Sequence, residues 1–113
     1  MAKMLAGKYR RHLVGKWDVG MATESHHPRN RGYESWLGYW HHSNDYWQHT
    51  VDTCGAEAIR DLWQYNSSFD GPALHYRNGP SCSQDNQTPA NQTCVYEEQL
   101  FTREVLRVIN NHD

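Results

Sequence analysis

Apolar and polar positions alternate with a clear period in only a few stretches of the 113 residues. The strongest is near the end, where Leu100, Phe101, Val105, Val108 and Ile109 recur at helical spacing and Glu97 and Glu98 stand at the positive amino end. That pattern predicts a helix over 96–110. At the start, 2–8 reads as the last turns of a helix: Leu5 is its last apolar residue and Gly7 suits the left-handed closing position. Tyr9-Arg10-Arg11-His12-Leu13-Val14-Gly15 then reads as a strand, its β-branched and aromatic members bounded by two glycines. Between 16 and 33, Gly20, Pro28, Asn30 and Gly32 interrupt any period, which predicts an ordered loop, the usual place for binding and catalytic residues. The aromatic and histidine run over 33–47 fits neither period and reads mostly as loop. Asp61-Leu62-Trp63 reads as a brief strand, and the polar, Pro- and Asn-rich stretch over 72–95 as a surface insertion.

Composition narrows the class. With 37% hydrophobic residues and a mean hydropathy of -0.96, the chain is one small domain or a piece of a larger one. Five Trp and seven Tyr imply a packed structure that so few aliphatic residues could scarcely complete alone, which suggests an internal fragment. The net charge is -2, and the basic residues are scattered apart from Lys8, Arg10, Arg11 and the pair Arg29, Arg31, so no nucleic-acid partner is expected. Met4-Leu5-Ala6, between Lys3 and Lys8, is too short for a signal-peptide core or a membrane span, and no membrane partner is expected.

Three cysteines, Cys54, Cys82 and Cys94, cannot all pair within one chain. Cys82 and Cys94 flank a polar excursion and would close a short loop as a disulfide; Cys54 would bond elsewhere or stay buried, and connectivity is open at this level. Asn66, Asn86 and Asn91 each head a glycosylation sequon. Sequons beside cysteines favour the secretory pathway, lysosomal or extracellular, with the true start of the protein expected upstream.

The chemistry-bearing positions begin with Lys16, just past the predicted strand's carboxyl end, where open α/β sheets place ligand sites. Its ammonium could meet a sulfate or phosphate oxygen, with Trp17 holding its stem. Adjacent histidines seldom chelate one ion unaided, so His26-His27 and His41-His42 do not predict a metal centre. His41 and His42 are instead candidates for substrate contact near a cleft for an acidic substrate. Trp36, Tyr39, Trp40, Tyr46 and Trp47 could stack a sugar or aryl ring, though core packing is the simpler role.

The box Gly15-Lys16-Trp17-Asp18-Val19-Gly20, with Tyr9 to Val14 before it, resembles the second signature of the sulfatase family, Gly-Lys-Trp-x-x-Gly, most of all in arylsulfatases of the B type. The resemblance continues in Pro28-Arg29-Asn30-Arg31-Gly32-Tyr33, Leu37-Gly38-Tyr39, Asn44-Asp45-Tyr46-Trp47 and Tyr96 to Glu104, and is weakest from Gly55 to Asn91. It implies an α/β fold, part of an alkaline-phosphatase-like sandwich with a mostly parallel sheet, so that 1–113 would be a partial sulfatase catalytic domain. It also implies sulfuric ester hydrolysis by a formylglycine, made from Cys or Ser, beside a calcium ion. The remainder of the sulfatase domain and a small-molecule or glycan sulfate ester would be its partners. Lys16 matches the lysine that contacts the sulfate and the formylglycine hydroxyl. Asp18 stands where the animal enzymes carry the histidine that takes a proton from the formylglycine hydrate, which makes it the second catalytic candidate. No cysteine here begins Cys-x-Pro-x-Arg, and the family's calcium-binding acidic pairs match nothing in this sequence. The chain alone is therefore expected to lack nucleophile and metal ligands and to be inactive. The rival reading is a noncatalytic secreted glycoprotein module or a degenerate sulfatase relative.

Overall fold

Strand β1, His12–Val14, is joined by parallel pairing to β2, Ser35–Gly38, in a computed structural model that describes residues 2–52, 59–76, 82–83 and 94–112. Three further short strands follow, β3 (Asn44–Asp45), β4 (Thr50–Val51) and β5 (Ile59–Arg60), and form a small separate sheet in the order β3-β4-β5. β6 (Trp63–Tyr65) and β7 (Asp70–Pro72) complete the main sheet, whose order is β1-β2-β6-β7. Helix α1, Glu97–Asn110, ends the described fold. Single turns of 3-10 helix occupy Ala2–Leu5, Glu24–His26, Pro28–Arg31 and Leu74–Tyr76.

The expected mostly parallel sheet is corrected. Among the described residues only β1 and β2 run parallel, whereas β2·β6, β6·β7, β3·β4 and β4·β5 are antiparallel. The cause is local: β6 and β7 are joined by a tight hairpin, which can link only antiparallel neighbours. The run over 33–47, expected to be mostly loop, holds two short strands, β2 and β3, within otherwise irregular chain. All four residues of β2 are buried, so this central strand has no solvent side to give it an alternating signature. The brief strand expected at Asp61 starts two residues later, at Trp63.

Register sorts the main sheet into two faces. Leu13, Trp36, Trp63 and Tyr65 share one, by the pairs Leu13↔Trp36, Trp36↔Tyr65 and Gly38↔Trp63. There Trp36 and Trp40 meet edge to face at 4.6 Å, and His27 sits 5.4 Å from Trp40 and 5.5 Å from Tyr65. Val14 and Leu37 take the opposite face. Leu37, Leu62, Ala73 and Leu100 form the aliphatic core, with Tyr76, Val95 and Phe101 packed against it. Full burial of one leucine contributes about 1.5–3 kcal/mol, so this small cluster and the aromatic layer carry the fold together.

Helix α1 occupies the span its periodicity predicts, but its buried stripe is narrower. Glu97, Leu100 and Glu104 are buried, while Val105, Leu106 and Ile109 are exposed. Glu104 is tolerated inside because Arg107 grips both its oxygens at 2.7 Å. No described helix is long and apolar enough to cross a membrane.

Candidate active site

The loop carrying Lys16 is an extension of the β1–β2 pairing. Beyond Val14, Gly15 N donates to Leu37 O at 2.9 Å, Trp17 N to Tyr39 O at 2.9 Å and Asp18 N to Trp40 O at 3.3 Å. Gly15 and Gly38 permit this. Gly15 has φ 105, a left-handed value that favours glycine, and a Cβ on Gly38 would stand 1.9 Å from Gly15 O. That same carbonyl accepts a bond from Trp36 Nε1 at 3.0 Å.

Trp17 turns inward from this extension. Its ring meets Tyr33 edge-on at 6.1 Å and Trp36 at 6.3 Å, and its Nε1 donates to Gly20 O. Lys16 and Asp18, on either side, are exposed and form an ion pair, Nζ to Oδ2 3.1 Å. Asp18 has φ 48, a left-handed conformation that aspartate tolerates better than most residues. The two catalytic candidates are thus brought together, and bonded to each other.

His41 lies on the adjoining chain, one residue beyond the carbonyl that Asp18 N engages. Its position rests on Asp61, a carboxylate 4% exposed that accepts from Trp40 N, His41 N and His41 Nδ1, each at 2.9 Å. With the Nδ1 proton given to Asp61, the lone pair of the neutral imidazole sits on Nε2, the arrangement by which a carboxylate orients a histidine base. His42 is exposed. In the sequence Asp61 reads only as a strand residue; nothing in its spacing from His41 marks the pair, because they meet through tertiary structure.

His27 is likewise fixed. Its Nδ1 accepts from Arg29 N at 3.1 Å and its Nε2 lies 3.0 Å from Asp70 Oδ1. Asp70 also takes Trp63 Nε1 and Arg29 Nη1, each at 2.9 Å. This network fastens the 3-10 turn at 28–31 to the hairpin, a structural role.

Behind the site lies a second buried carboxylate. Burial pushes Glu97 up to about 7, with the bond from Asn44 Nδ2 opposing the shift and Asp61 and Asp45 adding to it. His49, in the turn between β3 and β4, is pushed down to about 4, by burial first and Arg60 second.

Cys82 and Cys94 are joined in a disulfide, with Cα atoms 5.5 Å apart. Such a bond is at home in an oxidising compartment. Asn66 lies at the β6–β7 hairpin, its Oδ1 accepting from Ser68 N and Phe69 N, which leaves Nδ2, the atom a glycan would bond, outside those contacts. Cys54, Asn86 and Asn91 lie outside the described residues, as does most of the expected insertion over 72–95.

The calcium that a sulfatase resemblance implies does not fit the donors present: among the described residues no three His, Cys, Asp or Glu side chains cluster as a metal would need. Compared with known proteins, the chain matches no family model. It is distantly similar to mouse arylsulfatase J, at 27% identity over 105 residues, which make up 93% of this chain and 14% of that protein's length. The chain thus spans about one seventh of the relative it matches.

Proposed function

We propose that the chain is the part of an arylsulfatase-like sulfuric ester hydrolase that presents Lys16 to the sulfate. The observation that carries this reading is the Gly-Lys-Trp-x-x-Gly box held at the open end of β1, within the similarity to an arylsulfatase. An α/β sulfatase-type sandwich built with the rest of the protein is part of the proposal, as are a formylglycine nucleophile and a calcium ion supplied from outside this chain. So is a secretory destination, lysosomal or extracellular, with glycans on Asn66, Asn86 and Asn91.

Within this chain, Lys16 supplies positive charge where negative charge gathers on the sulfate oxygens in the transition state. Asp18 holds the ammonium beside the substrate and is a proton acceptor. His41, with its tautomer set by Asp61, is a second acceptor on the adjoining segment after β2, and His42 a substrate neighbour.

The test is release of sulfate from an aryl sulfate by the complete protein, produced with and without the formylglycine-generating modification. Modification-dependent turnover is expected, and Lys16→Ala should lower it by about two to three powers of ten, the usual loss on removing one stabilising group. A complete protein without Cys-x-Pro-x-Arg or Ser-x-Pro-x-Arg and without turnover would overturn the reading in favour of a noncatalytic relative.

A further inference from the structure

Beside the β1 extension the surface opens into two adjoining hollows that share one pair of cations. The first, about 420 Å³, is lined by Ala2, Lys3, Trp17, Val19, Arg31 and Tyr33. The second, about 470 Å³, is lined by Lys3, Ser25, Asn30 and Arg31. Lys3 and Arg31 therefore stand between a hollow walled by rings and one walled by small polar groups. Among the described residues no carboxylate pairs with either cation, nor with Lys8 or Arg103, whereas Arg10, Arg11, Lys16, Arg29 and Arg107 have acidic partners; what sets Lys3 and Arg31 apart is that they line the same two hollows.

The backbone around the hollows is held in place. Lys3 rests directly on Gly32, where a Cβ would come within 2.9 Å of Lys3 N and 3.0 Å of its Cα. Arg11 Nη1 donates to Ala2 O, which ties the first turn down from the other side. Arg31 N bonds to His27 O and Tyr33 N to Pro28 O, so the 3-10 turn positions Arg31 and Tyr33 together. Trp17 is held by its bond to Gly20 O and its edge contact with Tyr33.

The geometry points to a binding site for a small aromatic carboxylate, with the flat ring against Trp17, Val19 and Tyr33 and the carboxylate between Lys3 and Arg31. A guanidinium fork matches a planar carboxylate with two parallel bonds, and the ammonium adds charge from the other side. The aromatic walls give a ring a face or an edge to pack against. Ser25 and Asn30 would meet polar substituents beyond the carboxylate. The inference goes beyond the sulfatase reading and needs no nucleophile, metal or turnover.

The test is calorimetric titration of the complete protein with 2-naphthoate, 2-naphthamide and acetate. Naphthoate should bind about tenfold or more tightly than either of the others, since one charge-assisted contact carries roughly that factor. The Lys3→Gln, Arg31→Gln double variant should lose about tenfold for naphthoate by the same measure, and a Lys8→Gln, Arg103→Gln control should lose almost nothing. In the unaltered chain, magnetisation transfer from naphthoate should reach the Trp17 and Tyr33 rings, a readout independent of whether the variants fold. Equal binding of acetate, equal binding of naphthamide, an equal loss in the control, or no transfer to those rings would each overturn the site. Because binding is read without turnover, that failure is distinct from failure of ester hydrolysis.

Discussion

Asp18 bonds Lys16 at 3.1 Å, so any sulfate that reaches the ammonium must share it with a carboxylate. Asp18→Asn removes the competing charge while keeping the shape. In the complete protein it should tighten inhibition by inorganic sulfate and, if Asp18 is the proton acceptor, depress kcat at every pH; unchanged kcat with tighter sulfate would transfer the acceptor role to His41. Asp61 decides a different property. It accepts three bonds from the chain at 40–41 while almost wholly buried, and Asp61→Ala strands two backbone N–H groups. A loss of about 2–4 kcal/mol in urea unfolding is expected, against well under half of that for His41→Ala, whose ring is 42% exposed. Similar losses from both would mean that the backbone bonds contribute little. The sequence showed Lys16 and Asp18 because they are two apart in one box. It hid Asp61, twenty residues from His41, because a carboxylate that bonds backbone amides across a fold leaves no spacing to read.

At the scale of elements, the β1–β2 contact depends on Gly38. Gly38→Ala forces a methyl into Gly15 O, and the strands must part or the Lys16 loop must move. A destabilisation of about 1–3 kcal/mol follows from such overpacking, and it should be accompanied by a shift of the Lys16 backbone amide in a nitrogen–proton correlation spectrum. Helix α1 supplies a pH effect through Glu97. Its folded value is about 7 against an ordinary 4.5, so the native state holds the proton more tightly than the unfolded chain, and this contribution to stability is full below 4.5 and lost as pH rises through 7. Glu97→Gln, which keeps the neutral shape, should raise the urea midpoint at pH 8 and leave it nearly unchanged at pH 4. A gain equal at both values would show that charge is not the cause. His49 runs the other way: its value falls to about 4 from 6.5, so its contribution is present above 6.5 and lost as pH falls toward 4. The helix itself was legible because it is long and has one solvent face. β2 was not, being four residues long and buried throughout.

For the molecule as a whole, the disulfide and the aromatic layer compensate for a small aliphatic core, Leu37, Leu62, Ala73 and Leu100 among the described residues. Reduction of Cys82–Cys94 should lower stability by about 3 kcal/mol, the entropy of a closed loop of this order of size. A melting temperature insensitive to reductant would place the chain's cohesion in the aromatic layer alone. Composition anticipated that reliance on rings, and three cysteines with a short loop between two of them anticipated the bridge. The direction of the strands was beyond it, because resemblance carried the expectation of parallel strands while the hairpin at Asn66 dictated an antiparallel pair. The tryptophans themselves offer the simplest view of this layer from outside. Trp36 and Trp40, with ring centres 4.6 Å apart and planes at 78°, are close enough for their electronic transitions to couple. The folded chain should therefore show a two-signed exciton band in the far-ultraviolet circular dichroism, an optical signal of the packing beneath the Lys16 loop that weakens sharply when Trp40 is replaced by phenylalanine and leaves only the more distant Trp17–Trp36 pair, 6.3 Å apart.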